Sequence, residues 1–110
     1  MKLIQCNSTI NTTKSAGRKI RYIVIHYTAG RTSKAGTAKS TALYFANPSV
    51  KASADFIVDD EFAVQFNVDI RNRYCWHAGS SIGKYRTKGG SLYGIANSAN
   101  SIGIEVCSSS

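Results

Sequence analysis

Residues 20–27, Ile-Arg-Tyr-Ile-Val-Ile-His-Tyr, put apolar side chains on both alternating sets, Ile20, Tyr22 and Val24 on one side and Ile23 and Ile25 on the other. A strand with no face suited to water predicts a central position in a sheet covered on both sides. A second segment of this kind, Ser-Ile-Gly-Ile-Glu-Val at 101–106, lies far downstream. Between them, residues 35–48 carry Ala38, Ala42, Phe45 and Ala46 at helical spacing, and Pro48 turns Asn47 away from helical geometry, so the helix should stop there. Residues 54–60 and 62–67 read as a hairpin turning at Asp59-Asp60-Glu61. These elements predict an α/β (α+β) architecture, a single mixed central sheet flanked by helices, as one domain over residues 1–110. The polar residues 1–17 are expected to form a surface arm, and residues 80–100, rich in Gly, Ser and Asn, a long loop. One helix is too little cover for two buried strands. The sheet is therefore expected to be covered by another molecule or by further chain, and an uncovered face predicts self-association.

Composition excludes several classes. With 110 residues, 43% hydrophobic and 18% charged, the chain suits a folded domain and not a disordered one. No apolar run approaches the roughly 20 residues of a membrane span. The first residues, MKLIQCNSTINTTKSAGRK, lack the apolar core of a secretory signal, so the chain is expected to be made in the cytoplasm. Cys6, Cys75 and Cys107 are odd in number and irregularly spaced, which points to reduced thiols and not to a disulfide framework. Fourteen bases against six acids give a formal charge of +8 and favour an anionic partner. The bases are dispersed, with no helix-spaced stripe and no aromatic RNA-binding signature, so nucleic acid is not expected; a negatively charged cell wall would attract this surface equally well.

Both histidines stand in unusual places. His26 ends an apolar strand, where it is either a core imidazole bonded to a carbonyl or a metal ligand or general base on a rigid platform open to solvent. Glu105 sits among apolar residues, and strand alternation puts it on one face with Cys107, opposite Ile102, Ile104 and Val106. There it is either an edge-strand carboxylate in water or paired with an arginine, or an acid among apolar groups whose raised pKa suits proton transfer near neutrality. In "CWHAG", Trp76 offers a flat apolar surface for sugar, peptide or core, and His77 could bond a ligand carbonyl or cap a loop. His26, His77 and Cys107 are all ligand types that zinc accepts, although Cys107 also fits a small buried hydrophobe.

Taken in order, "YIVIHYTAG", "SADFIVDDEFAVQFN", "CWHAGSSIG" and "NSIGIEVC" resemble the type-2 N-acetylmuramoyl-L-alanine amidases, the zinc-dependent peptidoglycan amidases of phage endolysins and bacterial autolysins, related to the peptidoglycan recognition proteins. The resemblance runs from about Ile20 to Cys107. It implies cleavage of the amide between N-acetylmuramic acid and L-alanine by a zinc-activated water. It further implies that His26 is the first zinc ligand, that Glu105 activates the water, and that Trp76 and His77 belong to the substrate groove. The second and third zinc ligands, and the helix covering the open face, are expected beyond Ser110, so the 110 residues should hold zinc weakly or not at all. Asp55 stands where many relatives carry His, and is expected only to alter the groove. The resemblance also implies action on the cell wall, with release by lysis or a holin if the protein comes from a phage. The alternative function is a non-catalytic module of the same fold that binds muropeptide without cutting it.

Overall fold

The computed structural model describes residues 1–28, 31–78 and 95–108. A five-stranded mixed sheet carries one described α-helix on one face, and a small two-stranded sheet packs beside it. The chain order is β1 (Lys2–Ser8), β2 (Thr12–Lys14), β3 (Tyr22–Thr28), α1 (Thr37–Phe45), β4 (Phe56–Val58), β5 (Phe62–Asn67), β6 (Arg73–Cys75), a 3-10 turn (Ser98–Asn100) and β7 (Ser101–Cys107). Across the large sheet the order is β1-β5-β4-β7-β3; β2 and β6 form the other. β4 and β5 are the expected antiparallel hairpin, while β7 runs parallel to both β4 and β3.

Two expectations are corrected. Residues 1–17, expected as a surface arm, belong to the sheets: β1 pairs parallel with β5 as one edge of the large sheet, and β2 pairs antiparallel with β6. The polar composition that suggested an arm is that of an edge strand, where alternate residues face water. β3 is likewise an edge strand and not a central one, and one of its faces is open. Ile23, Ile25 and Tyr27 are 65%, 48% and 68% exposed. They lie level with Ile102, Ile104 and Val106 of β7, which are half-buried. Among the described residues only one face has a covering layer, which is the shortage of cover expected from a single helix; what is overturned is the central place of β3 in the sheet. The segment 80–100 was read as a loop; its part up to residue 94 lies outside the described residues, and its end forms the 3-10 turn.

The core lies between α1 and the sheet. Ala38, Ala42 and Phe45 are buried against Ile57, Val64, Phe66 and Cys107, and Phe45 meets Phe66 edge to face at 6.3 Å. The two alanines let the helix sit close to the strands, and Phe45 fills the space beyond them. The helix ends at Phe45 with Ala46 as its cap, two residues before Pro48, as expected.

Its beginning uses a distant residue. Gly36 caps the helix at φ 97°, a left-handed conformation that favours glycine, and supplies no side-chain acceptor. Asp59 from the hairpin turn replaces one: its Oδ2 accepts the N–H groups of Gly36 and Ala38, and its Oδ1 those of Glu61 and Phe62. Burial by itself would raise the Asp59 pKa, but these four donors outweigh it and hold the carboxyl below its ordinary value. One carboxylate thus closes the hairpin and starts the helix. Asp59→Ala is expected to destabilise the fold by about 3 kcal/mol, read as a lowered urea midpoint at unchanged slope. A loss under about 0.5 kcal/mol would show that the helix start does not depend on it.

Candidate functional site

Parallel pairing of β3 and β7 sets His26 directly beside Glu105. Both face the covered side of the sheet, together with the buried Ser101, Gly103 and Cys107. Neighbouring strands are about 4.8 Å apart, so imidazole and carboxyl are adjacent at one level of the sheet. The Oε2 atom of Glu105 is buried and has no hydrogen-bond partner among the described residues. Burial raises the Glu105 pKa, because a carboxylate removed from water is less stable than the neutral acid.

His77, just after β6, is brought against the same strands by a gap in β7. Its ring lies over Gly103, where an added Cβ would come within 2.3 Å of His77 Cγ. A glycine inside a strand often marks such a close approach. The ring then engages both of its nitrogens: Nδ1 lies 3.0 Å from His26 Nε2, and Nε2 lies 3.0 Å from Ser101 Oγ. The two imidazoles meet edge to face with centroids 5.2 Å apart. Burial lowers both histidine pKa values; that of His77 falls to about 4, with the neighbouring His26 the second cause. Both rings are neutral at pH 7.

Trp76 is fixed differently. Its Nε1 donates to Thr13 Oγ1 at 2.8 Å, and its backbone N–H donates to Ser53 Oγ at 3.1 Å, so the indole is held by the small β2–β6 sheet. Cys107 faces α1, with Sγ 3.8 Å from Thr41 Oγ1. Cys75 is fully buried, and burial pushes its thiol pKa up. All three cysteines are free.

Behind the histidines lies a polar junction that the sequence did not reveal. Asp55, expected only to alter a groove, has no exposed surface. Its Oδ2 accepts the Gly103 N–H at 2.8 Å, its Oδ1 accepts from Asn67 Nδ2, and Arg18 Nη2 stands 3.6 Å from Oδ1. Arg18 also donates through Nε to the Ile70 carbonyl and through Nη1 to that of Ser101 at 2.8 Å. This arginine was one base among many in the sequence, and its burial is set by partners that no local pattern shows. The only signals were Gly103 inside an apolar strand and an aspartate opening another.

Among the described residues no group of three His, Cys, Asp or Glu side chains is placed to hold a metal ion. His26, Glu105 and His77 come together; Cys107 does not join them, and the near nitrogen of His26 is already paired with His77. These residues do not by themselves make a zinc site.

The model of the N-acetylmuramoyl-L-alanine amidase family matches residues 16–110, nearly the whole chain. The chain belongs to that family. Two solved structures agree. The catalytic domain of XlyA superposes with a TM-score of 0.65 at 29% identity, over 96% of this chain and 60% of that one. A mutant endolysin from Bacillus subtilis gives a TM-score of 0.61 at 28% identity, over 97% of this chain and 61% of that one. The chain therefore spans about three fifths of the amidase-family structures it matches. No curated protein matched the sequence.

The neutral histidines carry a pH signature. His77 falls from an ordinary value of 6.5 to about 4 in the folded state, so below pH 6.5 the unfolded chain binds more protons than the folded one. Stability contributed by the neutral ring is complete above about pH 6.5 and is lost as pH falls towards 4. Glu105, with its raised pKa, acts in the opposite direction, since the folded state takes up its proton first. The urea midpoint is expected to drop between pH 7 and pH 4.5, and to drop less in His77→Asn. Equal pH slopes in the two proteins would show that His77 is not held neutral by the fold.

Proposed function

We propose that this chain carries the proton-transfer half of a peptidoglycan amidase that cleaves the bond between N-acetylmuramic acid and the L-alanine of the stem peptide. The observation that carries the reading is Glu105, an acid whose buried oxygen has no partner among the described residues, beside His26 on one sheet face, in a chain that matches the amidase family. Amide hydrolysis needs a group that takes a proton from the attacking water and returns it to the leaving amine. A carboxyl lifted towards neutrality by burial can do both, because neither of its protonation states is too stable to leave. Trp76 and His77 flank the proposed substrate, Trp76 through its indole and His77 through its ring surface, since both of its nitrogens are occupied. The dispersed positive charge suits an anionic cell-wall polymer.

The family is generally zinc-dependent. The described residues do not complete a metal site, so zinc enters the proposal only through His26, whose fellow ligands would come from outside those residues. The proposed place of action is the cell wall, reached by lysis or a holin if the protein comes from a phage.

A second reading, binding of muropeptide without cleavage, is favoured by the lack of a three-ligand group among the described residues. One experiment separates the two. Peptide release from purified peptidoglycan is measured alongside cosedimentation with the same material. The comparison is made in the chain extended to the full length of the matched amidase structures, since the 110 residues alone are expected to release no peptide. Under the amidase reading, Glu105→Gln in that extended protein lowers release by about two to four orders of magnitude while cosedimentation is unchanged. Near-normal release by Glu105→Gln removes Glu105 from the mechanism, and cosedimentation with no release from the unsubstituted extended protein favours the binding module.

A further inference from the structure

The hydrogen bonds of the histidine pair form a chain whose direction is fixed at one end. Ser101 Oγ donates to the backbone carbonyl of Asn97, an atom that can only accept. A hydroxyl has one proton. With that proton committed, Ser101 Oγ can only accept from His77 Nε2, 3.0 Å away. In its neutral form His77 therefore carries its one proton on Nε2, and its Nδ1 is a bare acceptor. The nitrogen facing that acceptor at 3.0 Å, His26 Nε2, must then be the donor. Following the chain to its end leaves His26 Nδ1 without a proton, and no described residue bonds to it.

We propose that Ser101 and His77 are positioning residues that fix His26 as its Nε2–H tautomer and leave Nδ1 as the ring's one free lone pair. A free imidazole exchanges between tautomers, and only the nitrogen without a proton can bind a cation or accept a hydrogen bond. Fixing the proton on Nε2 readies Nδ1, the arrangement by which a second group orients a reactive histidine.

The surrounding structure holds each link in place. The turn that presents the Asn97 carbonyl is closed by a reciprocal pair: Asn97 Oδ1 accepts from the Asn100 N–H, and Asn100 Oδ1 accepts from the Asn97 N–H. Arg18 Nη1 grips the end of the turn through the Ser101 carbonyl at 2.8 Å and, more distantly, those of Ser98 and Ala99. Ser101 has no exposed surface, so water does not compete for its hydroxyl. Gly103 gives the His77 ring the room to lie between Ser101 and His26. This hydrogen-bond chain between neutral rings is the same whether or not the protein is an amidase.

The test is a long-range nitrogen–proton NMR spectrum of the histidine-labelled 110-residue protein at neutral pH, without added metal. The proposal predicts pyrrole-type shifts at Nε2 and pyridine-type shifts at Nδ1 for both rings. Ser101→Ala should move His77 towards a tautomer mixture, and Gly103→Ala, which displaces the His77 ring while removing no hydrogen-bonding group, should release His26. His77→Asn, whose side-chain oxygen replaces the lost acceptor, should keep His26 in the Nε2–H form, whereas His77→Phe should not. A proton on Nδ1 of either ring in the unsubstituted protein overturns the proposal, as do averaged shifts at both nitrogens. The unsubstituted spectrum decides the matter even if a variant fails to fold.

Discussion

Asp55 is where the separate parts of this small domain meet. Its backbone joins neighbouring strands: its N–H donates to the Gly103 carbonyl, and its own carbonyl accepts from Phe66 and Asn67. Its side chain accepts from Gly103 and Asn67 and faces Arg18. An aspartate with no exposed surface is costly unless every lone pair is matched, so this arrangement tolerates little displacement. Arg18 carries the connection outward to the residue 98–101 turn, on which Ser101 and the histidine chain depend. A site on the last two strands of a sheet, one of them an edge, would otherwise rest on mobile ends.

The same design explains the unequal treatment of the two sheet faces. The covered face has α1 and the small, apolar side chains that let it approach, and there burial shapes the chemistry: neutral imidazoles and an acid raised towards neutrality. The open face carries Ile23, Ile25 and Tyr27 into solvent. The chain corresponds to about three fifths of the matched domains, and an apolar face of this kind is ordinarily covered in a folded protein. The polar site and the apolar open face lie on opposite sides of the same two strands, so events on one face act on strands that position the other.

Much of this was legible in sequence, and the boundary is physical. Local periodicity gave the helix with its stop before Pro48, the β4–β5 hairpin and the strand at 101–106, because each rests on residues close together along the chain. It misplaced β3, since apolar residues on both alternating sets show what a strand would prefer to cover and not what covers it. It missed β1, whose parallel partner β5 is remote in sequence. Of the site, His26 and Glu105 stood out as polar groups in apolar strands. Arg18, Asp55 and Ser101 did not, because an ion pair between residues 18 and 55 and a hydroxyl aimed at an imidazole are made by the tertiary fold alone. Asp59 was seen as a turn residue, but its hold on the start of α1 was not visible.

The histidine site depends most on Asp55 and Arg18 acting as one buried unit. A double-mutant cycle on Arg18→Met and Asp55→Asn, followed by urea denaturation at pH 7, measures this directly. Removing either partner leaves the other's charge buried without its counter-charge, so each single substitution is expected to cost about 3 kcal/mol or more. The double variant should cost less than the sum of the two by about 1.5–3 kcal/mol. Additivity within about 0.5 kcal/mol would contradict the account, because it would mean that the two groups do not depend on each other.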